Sequence, residues 1–370
     1  MKILILSDAN SVHTYRWAKS LQGKGFHIEI FSLYQYEKEF SPSYKSLGIN
    51  VTTSNVNRFI LYKYRRNVTK IFYLFALRTL KKCINRFNPQ LIHAHYLTSY
   101  GILASLSGFR PYFISIWGDD VFLPTKNFIL NNLLCFSLKN AQQLFSTSHA
   151  INDFMLDKYN LSTKIIPFGV DTKFFTPLDR IKTGPVIIGI IKSIEPHNGI
   201  EFLVDAFNIL KKKNINNIEL NIVGSGSLEK KIKKKVKQLK LETKVHFLGH
   251  IPHQKIVPQY QKLSIFVCPS IRESFGVSVI EASACALPII ANKVGGLMEV
   301  VRHGETGYLL DATHPPNLAD CLENLVLNDD LRYSLGQNGR NFVKNNFDWE
   351  TNVIEMVNVY KKINKCFRNS

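Results

Sequence analysis

Residues 1–33 read MKILILSDANSVHTYRWAKSLQGKGFHIEIFSL. Lys2 to Leu6 is a short apolar run that Ser7-Asp8 ends. Tyr15 to Leu21 carries a helical pattern that Gly23 and Gly25 stop, and Ile28 to Leu33 supplies a second apolar run. Strand, helix and strand in that order, over so few residues, are the pattern of a parallel βαβ unit. Similar runs follow at Leu91-Ile92, Tyr112 to Ile116 and Leu144-Phe145, each after a helical stretch. The first half is therefore expected to be one doubly wound parallel sheet.

The rhythm breaks at Ile165 to Pro177, IIPFGVDTKFFTP, a stretch punctuated by Pro and Gly with no clear period. It then restarts. Val186 to Ile191 reads as a strand, Ile200 to Leu210 as an amphipathic helix and Ile218 to Val223 as the next strand. Val245 to Leu248, Ile265 to Cys268 and Pro288 to Ala291 continue the series, and Trp349 to Ile363 is a last helix with no strand after it. A chain of 370 residues exceeds what one core usually supports. The expectation is an α/β protein of two Rossmann-like domains, residues 1–170 and 171–348, followed by a C-terminal helix, 349–370.

Lys and Arg number 47 against 28 Asp and Glu, a net charge of +19, which calls for an anionic partner. The excess is uneven. From Phe40 to Trp117 there is no acid at all, where chance would put roughly six. Basic residues there, from Lys45 through Arg65-Arg66 to Lys81-Lys82 and Arg86, alternate with apolar ones such as Phe59 to Tyr62 and Ile71 to Phe75. Such a segment suits anionic lipid headgroups, though a solvated helix would look the same. The seven lysines from Lys230 to Lys240 read instead as the wet face of a helix. Six cysteines without a paired spacing read as reduced core residues of a cytosolic protein. No apolar run reaches the length of a spanning helix, so any membrane contact is expected to be peripheral.

Pro269 to Gly296, PSIRESFGVSVIEASACALPIIANKVGG, reads as strand end, loop, buried helix, strand and glycine turn. Glu281 is the only charge between Ser274 and Ile290. A carboxylate in an apolar helix costs several kcal/mol unless something pairs with it. Glu273 lies eight residues earlier, in the loop. Phe275-Gly276-Val277 between them offers amides at a helix start, where anions bind readily. Ser278 to Glu281 also fits a capping box, in which Glu281 would serve only the helix.

Glu273-x7-Glu281 with Phe275-Gly276 inside it resembles the signature of retaining GT-B glycosyltransferases of family 4 (glycosyl transferases group 1). The resemblance covers nearly the whole chain. Ile166 to Pro177 is similar to that family's interdomain passage. Val294-Gly295-Gly296 to Gly307-Tyr308-Leu309 is similar to its nucleotide-proximal loop and the strand that follows. Ile222 to Gly226 and Val245 to Gly249 match two further landmarks. The resemblance implies two Rossmann-like domains facing across a cleft, the first for the acceptor and the second for a nucleotide sugar. It also expects the last helix to pack back on the first domain.

By that resemblance Glu281 would bind the ribose hydroxyls, and those hydroxyls would make its burial tolerable. Glu273 and the Phe275-Gly276 amides would hold hydroxyls of the transferred sugar, with Ser274 and Val277 also at the nucleotide sugar. Gly224 would line the donor site, and His246, Phe247 and Leu248 would meet the base. The family places an Arg and then a Lys at the diphosphate. Here Lys192 takes the first position, and His197 or Asn198 stands at the second. Lys is a point charge rather than a bidentate fork. In the first domain the resemblance places His95, of His93-Ala94-His95, beside the reacting anomeric carbon. A hydrogen-bonded structural histidine is the plainer alternative. Trp117-Gly118-Asp119-Asp120 would contribute Trp117 and Asp119 to the acceptor side. His13 and Arg16, in a first loop lacking the family's double glycine, are acceptor-side candidates or packing residues.

The activity expected is transfer of a hexose-type sugar from a nucleoside-diphosphate sugar to a hydroxyl acceptor, with retention. His95, Lys192 and Glu273 are the expected catalytic residues. No cofactor and no metal are expected, and no nucleic acid. The expected partners are the nucleotide sugar, a lipid-linked or polysaccharide acceptor and an anionic membrane surface, at the inner face of the cytoplasmic membrane. Two other readings stay open: a sugar-nucleotide epimerase of the same fold, and a catalytically degenerate basic module.

Overall fold

The computed structural model describes residues 1–35, 41–56, 71–118, 128–178 and 184–368. The chain divides into two compact units. One holds Met1–Ile166 together with Val353–Ser370, and the other holds Pro167–Asn352.

The first unit is a seven-stranded parallel sheet of β1 (Lys2–Leu6), β2 (His27–Tyr34), β3 (Asn50–Val56), β4 (Leu91–His95), β5 (Tyr112–Ile116), β6 (Gln143–Ser146) and β7 (Lys164–Ile165). Its order is β3-β2-β1-β4-β5-β6-β7. Every residue of β4 and β5 is buried, as helices on both faces of a parallel sheet require. β3, NVTTSNV, has no apolar run to announce it. It is an edge strand, holding to β2 by backbone bonds from the Glu29–Asn50 pair onward, and its Val and Thr residues suit extended backbone. The basic stretch thus contains β3, β4 and β5 as well as the helix Ile71–Phe87. The part of that stretch from Arg58 to Lys70 lies outside the described residues.

The helix Trp349–Arg368 contributes to this unit from the far end of the sequence. Its Tyr360 hydroxyl meets His93 Nδ1 at 2.5 Å, and its ring stacks on Phe113 and edges Phe26. His93 Nε2 bonds Ser115 Oγ at 2.8 Å.

The second unit is a six-stranded parallel sheet, β8 (Val186–Ile191), β9 (Ile218–Val223), β10 (Val245–Gly249), β11 (Ile265–Cys268), β12 (Ile289–Asn292) and β13 (Gly307–Leu310). The order β10-β9-β8-β11-β12-β13 is the Rossmann arrangement. The amphipathic helix Ile200–Lys212 buries Leu203, Val204, Phe207 and Leu210 against it. The lysine-rich helix Glu229–Gln238 buries only Ile232 and Val236. Its Lys231, Lys233 and Lys235 pair with Glu201, Glu229 and Asp205, so this run is a solvated face whose charge neighbouring acids offset in part. The two crossings of the chain lie side by side in this unit, where Val170 bridges to Asp348.

Burial pushes the His93 imidazole down to about 3. The unfolded chain, titrating near 6.5, takes up a proton that the folded unit refuses. The stability this group contributes is therefore full above pH 6.5 and declines as pH falls toward 3, by about 1.4 kcal/mol per pH unit. Urea midpoints should drop between pH 7.5 and pH 5, and the drop should shrink in His93→Asn.

Candidate active site

In an open parallel sheet, ligands bind beyond the carboxyl ends of the strands where the strand order reverses. In the second unit that point lies between β8, ending at Ile191, and β11, ending at Cys268. Lys192 follows the first and Glu273 the second. They form an ion pair, and Lys192 Nζ also donates to Ser270 Oγ at 3.1 Å. Both side chains are largely withdrawn from water. The Cys268 thiol beside them is pushed up by its burial.

The Glu273 loop is held by glycine backbone. Gly296 N donates to the Glu273 carbonyl at 3.1 Å, and a Cβ on Gly295 would stand 2.2 Å from that oxygen. Gly276, at φ 103°, turns the chain into the helix Val277–Ala284. No side chain caps that helix, so the Ser278/Glu281 capping box does not form. Ser278 Oγ is buried there without a hydrogen-bond partner.

Glu281 lies in this helix, 5% exposed. One oxygen accepts from the Tyr260 hydroxyl at 2.8 Å, and the other meets His253 Nε2 at 2.8 Å. The tolerance of this acid therefore does not depend on nucleotide hydroxyls, as the sequence suggested. The fold supplies two partners of its own. Burial first, and the adjacent carboxylate second, push the Tyr260 hydroxyl well up, so it stays a donor. An ionised carboxylate has about four acceptor positions, and two remain.

Asn198 and His197 separate clearly. Asn198 is buried, donating to the Ser193 carbonyl at 2.8 Å and accepting from Ser270 Oγ at 3.4 Å, which makes it a brace. His197 is partly exposed, with its carbonyl bonded to Ile271 N. Gly224 N donates to the Gly249 carbonyl at 2.8 Å and ties the ends of β9 and β10. His246 Nε2 meets Glu219 on the neighbouring strand at 3.2 Å, Phe247 lies under Lys233, and Leu248 is exposed. Ser274 and Phe275 are buried beside Glu273, and Val277 opens the helix.

In the first unit the order reverses between β1 and β4. His95 ends β4, and its ring lies 3.7 Å from that of Trp117, just after β5. His13, at the start of the helix Val12–Gly23, sits edge-on to Trp117 at 6.3 Å. Arg16 follows on the same helix. His95 Nδ1 is buried without a hydrogen-bond partner. Burial, then the neighbouring His93 and His13, push its pKa well down, so it is a neutral imidazole. Asp119 and Asp120 lie outside the described residues. No group of metal-binding side chains occurs among the described residues.

Sequence pattern did not find Tyr260, His253, Ser270 or the orphan Ser278 hydroxyl. Tyr260 and His253 reach Glu281 from other elements, and no local spacing records such a contact. Removing the Tyr260 hydroxyl should cost about 1–3 kcal/mol, because part of a buried carboxylate is left unpaired. Tyr260→Phe should lower the urea midpoint accordingly. Gly295→Ala should displace the Glu273 loop, at a cost of about 1–3 kcal/mol read from the urea midpoint.

A family model described as Glycosyl transferases group 1 matches residues 174–342, and one described as Glycosyl transferase 4-like matches residues 2–148. The chain is 28% identical over 360 residues to an uncharacterised glycosyltransferase of Methanocaldococcus jannaschii, covering 95% of this chain and 94% of the other. Sucrose-phosphate synthase of Thermosynechococcus elongatus shares the fold, with a TM-score of 0.82 at 21% identity and full coverage of both chains. Anabaena HepE, solved in complex with UDP-glucose, has a TM-score of 0.78 at 18% identity, over 98% of this chain and all of the other. Two parallel Rossmann-like sheets, each with candidate residues at a reversal of strand order, accompany family matches in both halves. The chain belongs to the group 1 glycosyltransferases of GT-B fold.

Proposed function

We propose that the enzyme moves a hexose-type sugar from a nucleoside diphosphate to a hydroxyl acceptor with retention, in envelope polysaccharide or glycolipid assembly. The observation that carries this reading is the Lys192–Glu273 pair at the reversal point of the second sheet, together with a buried Glu281, in the helix that follows Glu273, with acceptor positions to spare. Relatives of the same fold have been solved with UDP and with UDP-glucose, which supports a nucleotide sugar as the donor.

In this reading the ribose hydroxyls take the remaining positions on Glu281. Glu273, with the Phe275 and Gly276 backbone, holds sugar hydroxyls. Lys192, aided by His197, faces the diphosphate as its charge grows during bond cleavage. The departing phosphate takes the acceptor proton as the new glycosidic bond forms on the face it leaves. Neither a metal nor a cofactor takes part. The first unit receives the acceptor, with His95 neutral and able to accept or donate one hydrogen bond, and His13, Arg16 and Trp117 around it. Its acceptor is lipid-linked or polymer-borne, and the enzyme works at the inner face of the cytoplasmic membrane.

Thermal-shift measurements with uridine, guanosine and adenosine diphosphates should show one preferred nucleotide. Lys192→Ala should slow nucleotide release from that donor by about 10²–10³-fold, the usual loss when one fixed donor to a developing anion is removed. Lys192→Arg should retain most of the rate. Proton NMR of the product should show the donor's anomeric configuration. An inverted product, or equal rates in Lys192→Ala, would exclude the scheme.

A further inference from the structure

The helix Phe128–Lys139 keeps Leu130, Leu134 and Leu138 in the core of the first unit. Its opposite face puts large apolar groups in water. Phe128 is 77% exposed, Ile129 71% and Phe136 49%. Ile129, Leu133 and Phe136 follow helical spacing along one side, with Leu133 half-buried between the two exposed groups, and Phe128 stands at the helix start, so these side chains form one stripe rather than scattered exposures. A contiguous apolar stripe on a folded surface marks an interaction site.

The charge beside it identifies the partner. The helix Ile102–Leu106 packs against both Phe128–Lys139 and Ile71–Phe87, which places those two helices on one face of the sheet. Ile71–Phe87 has no acid and exposes Arg78, Lys81 and Lys82. Between Phe40 and Asp153 the only acidic residues in the sequence are Asp119 and Asp120. The lysine-rich helix of the second unit differs, because Lys231, Lys233 and Lys235 there are paired with neighbouring acids. A nucleic acid would use the charge of this face but not a phenylalanine and isoleucine stripe. A second copy of the chain would use the stripe but bring a face of the same sign. An anionic bilayer uses both, apolar side chains at the acyl boundary and basic ones among the headgroups.

We infer that this helical face of the first unit docks on anionic lipid, with Phe128, Ile129 and Phe136 entering the interface and Arg78, Lys81 and Lys82 over the headgroups. The inference deepens the reading of a membrane-held acceptor and gives it a location. None of these residues belongs to the donor or acceptor machinery described above.

The test is co-sedimentation of the full chain with vesicles of phosphatidylcholine alone and of phosphatidylcholine mixed with phosphatidylglycerol. Binding is expected to the mixed vesicles only and to weaken with salt. The triple change Phe128→Ser, Ile129→Ser, Phe136→Ser should abolish it. Lys81→Gln and Lys82→Gln should each weaken it about five-fold. Turnover of a soluble donor should be the same in all variants. Equal binding to neutral vesicles, or unchanged binding by the serine variant, would overturn the inference. So would a parent protein that elutes as a dimer and a serine variant that elutes as a monomer. Vesicle binding without donor turnover would defeat the glycosyl-transfer reading and leave the docking face intact, and turnover without vesicle binding would do the reverse.

Discussion

Lys192 and Glu273 meet where the strand order of the second sheet reverses, away from bulk water. Removing two charges from solvent is expensive, and an apolar pair of similar volume would hold the fold as well or better. In the proposed reading the pair is a binding device, and its surroundings hold it in place. Ser270 gives the ammonium a second acceptor. Asn198 steadies Ser270 and the Ser193 carbonyl. The glycines at 295 and 296 let the loop close on the Glu273 carbonyl where a side chain would collide with it.

Glu281 shows the same economy in a different setting. Its partners come not from the helix that carries it but from Tyr260 and His253. These two bonds fix the rotation of the carboxylate and leave its remaining lone pairs aimed in set directions. A group pre-oriented in this way loses little freedom when a ligand binds.

The alternation of buried strands with helices was legible residue by residue, because a parallel sheet covered on both faces makes its strands continuous apolar runs, as at Ile3 to Leu6 and Ile187 to Ile191. β3 escaped for the opposite reason. An edge strand such as Asn50–Val56 rests on backbone bonds to one neighbour and needs no apolar signature. The positions of Lys192 and Glu273 could be read because each follows a recognisable strand end, and that of Glu281 because it is a lone charge in an apolar helix. Their partners could not, since Tyr260 and Glu281 are 21 residues apart and joined only by tertiary structure. The choice between His197 and Asn198 also needed coordinates: one is a brace, the other partly open to solvent.

The first unit is interrupted in the sequence by the whole of the second. Tyr360, which closes over His93 and stacks on Phe113, is synthesised after every strand of both sheets. During translation the unit begun earliest must therefore wait, with its β4–β5 surface incompletely covered, while the intervening unit emerges and folds. Order of synthesis and order of completion run opposite ways, and the last helix is the closure of a domain whose other parts were made first.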